Sequence, residues 1–382
     1  MRDLKIKNLI LNTFSIMKKI IFLSVLAAVL SACTSGPQFV IRGKLAGADS
    51  VTLVLQKRAD GQIVNLDSAV VKKGSFKMKG VIEYPDLVQL VALNTPYRTS
   101  FYLENSNITI TGTLDSLFNA KVSGSKTQDE YNSLIESTRP LSEKYSDLVQ
   151  KYQVARQVND TAEISRIEKE ADVIAKDMNS LQKEFIVNNP SSYVTPSILR
   201  SLSYEMEASE IEAVINSMDT SVARIPMVRE LKARVEAMKK VAIGQKAPDF
   251  TLNDVNGNPV SLSSKIGSKL LLVDFWAAWC GPCRQENPNI VKTYNEFKNR
   301  GFDIFAVSLD QSRDDWVKAI ADDKLTWTHV SDLQFWNSAA AQLYAVSSIP
   351  ANFLLDETGT IIARNLRGND LRNKVSELLG RR

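Results

Sequence analysis

One stretch decides how the C-terminal part of this chain folds: residues 272–283 read LVDFWAAWCGPC. It belongs to a nearly continuous apolar run over 269–276, which is typical of a strand buried on both faces of a sheet. A helical pattern of residues follows at 284–300. Cys280 and Cys283 therefore stand where a buried strand gives way to a helix.

Strand and helix patterns alternate through the rest of this region. The predicted strands are 269–276, 302–309, 346–355 and 360–364. The predicted helices are 284–300, 312–323 and 371–379. Such alternation predicts an α/β domain in which helices flank a central sheet. His329, the single histidine of the chain, lies in a loop or at a strand end and is interpreted as structural.

The N-terminal half is different in character. Residues 39–125 alternate apolar and polar side chains in short runs, as at Val51–Leu55, Phe76–Met78 and Ile108–Thr111. Asp60-Gly61 and Lys73-Gly74 supply turn residues between the runs. We expect a small antiparallel β-sandwich here.

Helical periodicity replaces the strand pattern over residues 126–243. One predicted helical face holds Leu134, Leu141, Tyr145, Leu148 and Tyr152, and a second holds Ile164, Ile167, Ala171, Ile174, Met178, Leu181 and Phe185. Asp160, in the Asn159-Asp160-Thr161 break, offers a cap for the second helix, so we expect an antiparallel helical hairpin. Its apolar stripe is interpreted as core, with dimerisation as the alternative. Further helices are predicted at 197–204, 209–218 and 226–241.

Composition excludes several classes of protein. The chain has 382 residues, 44% hydrophobic and 24% charged, which is typical of globular protein and expected for two or three domains. Its formal charge is +4, but residues 1–32 hold five of the 47 basic residues and only one of the 43 acidic ones. The rest of the chain is neutral, so no basic surface for nucleic acid is predicted.

The first residues have the pattern of a secretion leader. Lys18-Lys19 precedes an apolar run, 20–32, that is too short to span a bilayer. The run ends in LSAC at residues 30–33, which resembles a bacterial lipobox. That resemblance implies cleavage before Cys33 and acylation of Cys33, and several acyl chains give stable anchoring. A plain signal peptide with an incidental cysteine is the alternative.

The remaining two cysteines carry the predicted chemistry. A thiol at a helix start meets unpaired amide donors and the positive end of the helix dipole, which lowers its pKa and favours the thiolate. Cys280 is therefore the predicted attacking thiol, and Cys283, one helical turn away, resolves the mixed disulfide. A structural disulfide and a metal site are the alternatives. One Cys pair with one His cannot supply a four-ligand zinc site, so we predict no metal and no cofactor beyond the redox-active disulfide.

At these residues the chain resembles thioredoxin, and from residue 244 onwards it is similar to the envelope-anchored thioredoxin-like reductases of the TlpA/ResA type. The region before it resembles an accessory region of unassigned function that precedes such domains in envelope lipoproteins. The fold is thus predicted to be multidomain, with an all-β sandwich, a helical segment and an α/β thioredoxin-like domain. The predicted divisions are a leader at 1–32, a tether at 33–38, the sandwich at 39–125, the helical segment at 126–243 and the thioredoxin-like domain at 244–382.

The resemblance extends to individual positions. Asp274 matches thioredoxin's buried aspartate; desolvation would raise its pKa and let it accept the proton of Cys283. Thioredoxin's lysine partner of that aspartate has no counterpart in the strand at 305–308. Glu286 matches a glutamate of the TlpA/ResA branch that would modulate the thiols or contact the partner. A merely solvated carboxylate is the alternative at both positions.

Substrate contacts are implied by the same resemblance. Ile349-Pro350 looks like the cis-proline loop that faces the dithiol and pairs with an extended substrate strand, with an ordinary trans turn as the alternative. Trp279 is assigned to the docking surface. Gly281-Pro282, together with Ile349, matches the reducing thioredoxins, which favours disulfide reduction over oxidase or isomerase action.

The predicted function is that of a lipid-anchored thiol-disulfide oxidoreductase that reduces disulfides of envelope proteins. As a reductase it needs electrons from a membrane dithiol donor. We expect it to face the periplasm, and Thr34 after the lipidated cysteine favours the outer membrane by family analogy. The alternatives are a thiol peroxidase, indicated by APDF at residues 247–250, and an envelope binding protein with a secondary redox domain.

Overall fold

The computed structural model describes residues 36–59 and 62–380, in two compact units that divide between Ile135 and Glu136. The predicted leader, the lipidation site Cys33 and the Asp60-Gly61 turn lie outside the described residues. None of the helices in the described ranges is long and apolar enough to cross a membrane.

The first unit contains two four-stranded sheets that share one apolar core. Its strands are β1 (Phe39–Ala46), β2 (Thr52–Ala59), β3 (Gln62–Val70), β4 (Ser75–Gly80), β5 (Asp86–Ala92), β6 (Arg98–Leu103), β7 (Asn107–Thr113) and β8 (Lys121–Ser123). The sheet orders are β4-β1-β7-β8 and β3-β2-β5-β6. Alternating side chains point inward, as the sandwich prediction requires: Ile41 of β1 and Leu90 of β5 are both fully buried.

Two details of this unit bear on the prediction. Lys73 and Gly74 both have positive φ, as a tight two-residue turn between strands requires. The expectation of purely antiparallel pairing was wrong, because β1 pairs with β7 in parallel. Strands so far apart in the chain can pair in either direction, whereas a short turn permits only the antiparallel one.

A run of helices follows the strands; the first helix spans the division between residues 135 and 136, and the others lie in the second unit. They are α1 (Lys126–Gln157), α2 (Thr161–Asn188), α3 (Thr195–Leu202), α4 (Ala208–Ser217), α5 (Thr220–Ala223) and α6 (Pro226–Lys240). The Asp160 carboxylate accepts a hydrogen bond from the Glu163 amide at 3.0 Å, which confirms the predicted cap of α2. Leu148 of α1 packs with Ile167 and Ile174 of α2, so the stripe is core. Tyr145 was wrongly placed on this face, since it is 42% exposed.

The remainder of the second unit is an α/β domain with a seven-stranded sheet of order β10-β9-β13-β12-β11-β14-β15. Its strands are β9 (Thr251–Asp254), β10 (Pro259–Ser261), β11 (Leu270–Trp276), β12 (Phe302–Ser308), β13 (Thr328–Ser331), β14 (Ala351–Asp356) and β15 (Ile361–Arg364). Its helices are α7 (Gly281–Phe297), α8 (Arg313–Asp322), α9 (Ala339–Leu343) and α10 (Gly368–Leu379).

The central strand matches the sequence pattern that predicted it. Every residue of β11 is buried, with β12 parallel on one side and β14 antiparallel on the other. The strand predicted at 346–355 begins only at Ala351, because Pro350 has no N–H to donate to the sheet. Strands β9, β10 and β13 were not predicted, since runs of three or four residues carry too little periodicity.

Candidate active site

The two cysteines lie at the start of α7, where β11 has just ended. Cys280 is the N-cap residue of the helix, and Cys283 lies in its first turn. The two form a disulfide with Cα atoms 5.3 Å apart. The backbone amide of Cys283 donates to Sγ of Cys280 at 3.2 Å. This donor would stabilise negative charge on Cys280 Sγ once the bridge is opened.

The bridge is shielded by its neighbours in the sequence. Cys280 and Cys283 are 4% and 1% exposed, whereas Gly281 and Pro282 between them are exposed. Trp279, just before the pair, is 47% exposed. The accessible surface next to the bridge is therefore that of Trp279 and the Gly281-Pro282 turn.

Asp274 is a buried carboxylate in the strand that leads to the dithiol. It lies in β11, where its neighbours across the sheet are Ala306 and Asn352. It is 3% exposed, and its Oδ1 has no hydrogen-bond partner among the described residues. Burial raises the pKa of its carboxyl to about 7; Glu286 adds to the rise and Arg367 opposes it. The acid is thus able to gain or lose a proton near neutral pH.

Glu286 is fixed in place and is not a freely solvated charge. Its Oε1 accepts a hydrogen bond from the Gly368 amide at 2.8 Å and another from Asn289 Nδ2 at 2.8 Å. The bond from Gly368 joins α7 to the start of α10, and the bond from Asn289 lies within α7. The carboxylate therefore has a set position, from which it acts on Asp274.

The peptide bond between Ile349 and Pro350 is cis, as the resemblance implied. The Pro350 carbonyl accepts a hydrogen bond from Arg367 Nη2 at 2.7 Å. Arg367 was missed by the sequence reasoning. Its positive charge lowers the pKa of Asp274. Arg367 thus supplies a positive charge near Asp274, although the strand at 305–308 has no lysine.

Trp279 belongs to an aromatic cluster that was not predicted from the sequence. Its ring lies 5.1 Å from that of Phe335 and 6.0 Å from that of Trp336. Its indole donates to the Leu309 carbonyl at 3.4 Å. The adjacent aromatic pair 335–336 in a polar stretch was the only signal for this cluster.

Asp310 is a second buried carboxylate close to the dithiol, and it too was missed. It accepts hydrogen bonds from the Ala278 amide at 3.0 and 3.1 Å and from Ser308 Oγ at 2.7 Å. Because Ala278 lies two residues before Cys280, these bonds fix the turn that presents the dithiol. Burial raises the pKa of Asp310.

His329 takes no part in this arrangement. It is 5% exposed and stacks on Trp327 with ring centroids 5.8 Å apart. Burial lowers its pKa to about 3, so the ring is neutral at physiological pH. In the described ranges, no three Cys, His, Asp or Glu side chains are grouped as metal ligands would be.

Both parts of the chain match models of known protein families. Residues 243–364 match the family model described as the AhpC/TSA family. Residues 39–131 match a domain of unknown function, DUF4369, which agrees with the predicted accessory region.

Relatives of the C-terminal part carry redox names. Thioredoxin-like protein YneN of Bacillus subtilis is 38% identical over 128 residues, which cover 32% of this chain and 72% of that protein. Thiol-disulfide oxidoreductase ResA of Geobacillus kaustophilus is 34% identical over 121 residues, which cover 32% of this chain and 67% of that protein. The thioredoxin domain of a thiol-disulfide oxidoreductase from Bacteroides vulgatus is 42% identical, with a TM-score of 0.35; 36% of this chain and 99% of that one are covered. The chain belongs to the ResA-like thiol-disulfide oxidoreductases with a thioredoxin fold.

Proposed function

We propose that the protein is a lipid-anchored reductase of the cell envelope that opens disulfides in other envelope proteins through Cys280 and Cys283. The observation that carries this proposal is the bridged pair at the start of α7, together with the buried Asp274 in the strand β11 that leads to it. A helix start favours the thiolate, and a carboxyl with a pKa of about 7 exchanges protons readily at neutral pH.

The proposed reaction has two steps. The Cys280 thiolate attacks one sulfur of the substrate disulfide, forming a mixed disulfide and releasing the other substrate sulfur as a thiolate, which takes a proton from water. Asp274 then accepts the Cys283 proton, directly or through a water. The Cys283 thiolate attacks Cys280 Sγ, and the second substrate sulfur leaves as a thiolate that is then protonated. The substrate has gained two electrons, and the enzyme disulfide has re-formed.

A further cycle needs two electrons from outside the protein. We propose a membrane dithiol as the donor, which passes them to the enzyme by the same exchange chemistry. Gly281-Pro282 and Ile349, which match the reducing thioredoxins, favour this direction over substrate oxidation.

The direct test of this function is reduction of insulin by the mature chain with dithiothreitol as electron source. We expect precipitation of the insulin B chain well ahead of a dithiothreitol blank. A peroxide-consumption assay on the same sample addresses the thiol peroxidase alternative. Ala277 stands where that class has threonine, three residues before the cysteine, so we expect no consumption above the blank. Peroxide turnover without insulin reduction would contradict the proposal.

The proposed anchor gives a separate prediction, because only Cys33 would carry lipid. We expect wild-type protein to incorporate an alkyne-labelled fatty acid in cells and to sediment with membranes. The Cys33→Ser variant should do neither. A Cys283→Ser variant is the matched control and should be labelled and sediment like the wild type. Wild-type protein that takes up no label, or a Cys33→Ser variant that takes up as much label as the wild type, would contradict lipidation at Cys33.

A further inference from the structure

The helices that precede the redox domain contact the loop that leads to Pro350. Arg234 of α6 donates through Nη2 to Ser347 Oγ at 2.8 Å and to the Ser203 carbonyl at 3.3 Å. Arg364 of β15 pairs with Glu207. These bonds hold the connection between α3 and α4, residues 203–207, beside the loop 345–350.

A cleft of about 200 Å³ lies between these two segments. Its lining includes Tyr204 and Arg234 on the helical side and Ser348 and Asn365 on the side of the redox domain. Tyr204 is 55% exposed, and its ring centre lies 5.4 Å from the Arg234 guanidinium carbon. The cleft therefore presents an open aromatic surface directly next to the loop that precedes Pro350.

The loop beside the cleft also has backbone hydrogen-bond donors that the folded chain does not use. In the ranges that the structure describes, the backbone amides of Ser348 and Ile349 donate no hydrogen bond. Ser348 lines the cleft and is exposed, so its amide is open to an acceptor from another molecule. A polypeptide in extended conformation offers a carbonyl oxygen at every residue.

On the basis of the proposed function, we infer that residues 203–207 and Arg234 form a substrate subsite that takes the extended polypeptide next to the disulfide being reduced. Main-chain carbonyls of the substrate accept from the unused N–H groups, and one of its side chains packs on Tyr204. Main-chain bonds give such complexes affinity, and side-chain pockets give them specificity. The helical segment would thus select protein substrates over small disulfides.

The test compares Tyr204→Ala with Tyr145→Ala, a control at a similarly exposed tyrosine of the same unit that does not line the cleft. For insulin reduction we expect kcat/KM of the Tyr204→Ala variant to fall about tenfold, as for loss of one aromatic contact at an interface. Reduction of a small aromatic disulfide should be unchanged. The control should match the wild type with both substrates. Equal effects on insulin and the small disulfide, or no effect on either, would overturn the inference.

A binding measurement separates this inference from the proposed function. In a variant with both Cys280→Ser and Cys283→Ser, no exchange occurs, and affinity for fluorescein-labelled, carboxymethylated insulin B chain is measured by anisotropy. We expect Tyr204→Ala to weaken binding about tenfold in this background, and Tyr145→Ala to leave it unchanged. This result would support the subsite even if wild-type protein failed to reduce insulin. Absence of binding, or equal binding by all three proteins, would refute it.

Discussion

Replacing Cys280 with serine is expected to reduce insulin reduction by at least about a thousandfold, since the reaction then lacks its nucleophile. A serine hydroxyl at this position stays protonated at neutral pH. The N-cap position and the Cys283 amide at 3.2 Å favour charge on a sulfur but do not ionise an alcohol. The measurement is the initial rate of insulin precipitation with dithiothreitol.

Replacing Cys283 should give a different defect, because the first step survives. The Cys283→Ser variant is expected to attack a substrate disulfide once and to remain bound to it through Cys280. Intact-mass spectrometry after mixing with oxidised substrate should show a one-to-one adduct that dithiothreitol removes. Cys280→Ser serves as the control and should show none. An adduct on Cys283 in the Cys280→Ser variant would reverse the assigned roles.

The second large effect is expected at Asp274, which we propose accepts the proton of Cys283. The Asp274→Asn substitution keeps the size of the side chain but removes its basicity. Because only the ionised carboxylate accepts a proton, the wild-type resolving step should accelerate as pH rises through the Asp274 pKa of about 7. The variant should lack this rise and be slower at pH 7 by about a hundredfold.

This step is measured by stopped-flow release of a labelled peptide held in mixed disulfide on Cys280. Asp314→Asn, at a side chain that is 96% exposed, is the matched control and should retain the wild-type profile. A variant profile that still rises through pH 7 would assign that titration to another group.

The same substitution should raise stability while it lowers activity. Burial raises the pKa of Asp274 from its ordinary 3.8 to about 7, so the folded protein binds this proton more tightly than the unfolded chain. This proton contributes about 4 kcal/mol to the free energy of unfolding below pH 4, and the contribution is lost as pH rises to 7. At pH 8 the Asp274→Asn variant should therefore be more stable than wild type, by up to that amount.

Denaturant unfolding at pH 5 and pH 8 measures this difference. The Asp314→Asn control should change the free energy of unfolding only slightly, and by the same amount at pH 5 and pH 8, because that carboxylate is exposed. An Asp274→Asn variant that is destabilised at pH 8 would show that the carboxylate is stabilised in the folded protein, against the stated cause of its raised pKa.

Local patterns in the sequence predicted the features that depend on neighbouring residues. The apolar run of β11 and the cysteines at the start of α7 could be placed because a strand, its following turn and a helix cap are contiguous. The cap at Asp160 was predictable for the same reason. The cis bond before Pro350 was anticipated by resemblance and not by local physics.

Contacts between distant residues could not be predicted in this way. The bond from the Gly368 amide to Glu286 joins positions 82 residues apart, and Arg367 reaches Pro350 from beyond β14 and β15. Arg234 and Ser347 are 113 residues apart. No periodicity records such pairs, because they form only when the sheet order has been set. The environment of Asp274 therefore required the structure.

The central claim is tested most directly by titrating the mature chain in buffers with defined ratios of reduced to oxidised dithiothreitol. Free thiols are counted by alkylation and mass spectrometry. We predict that Cys280 and Cys283 open and close together in one two-electron transition, in which about 30 mV changes the ratio of reduced to oxidised protein tenfold. A pair that stays bridged in the most reducing buffer, or that stays open in the most oxidising one, would contradict the account.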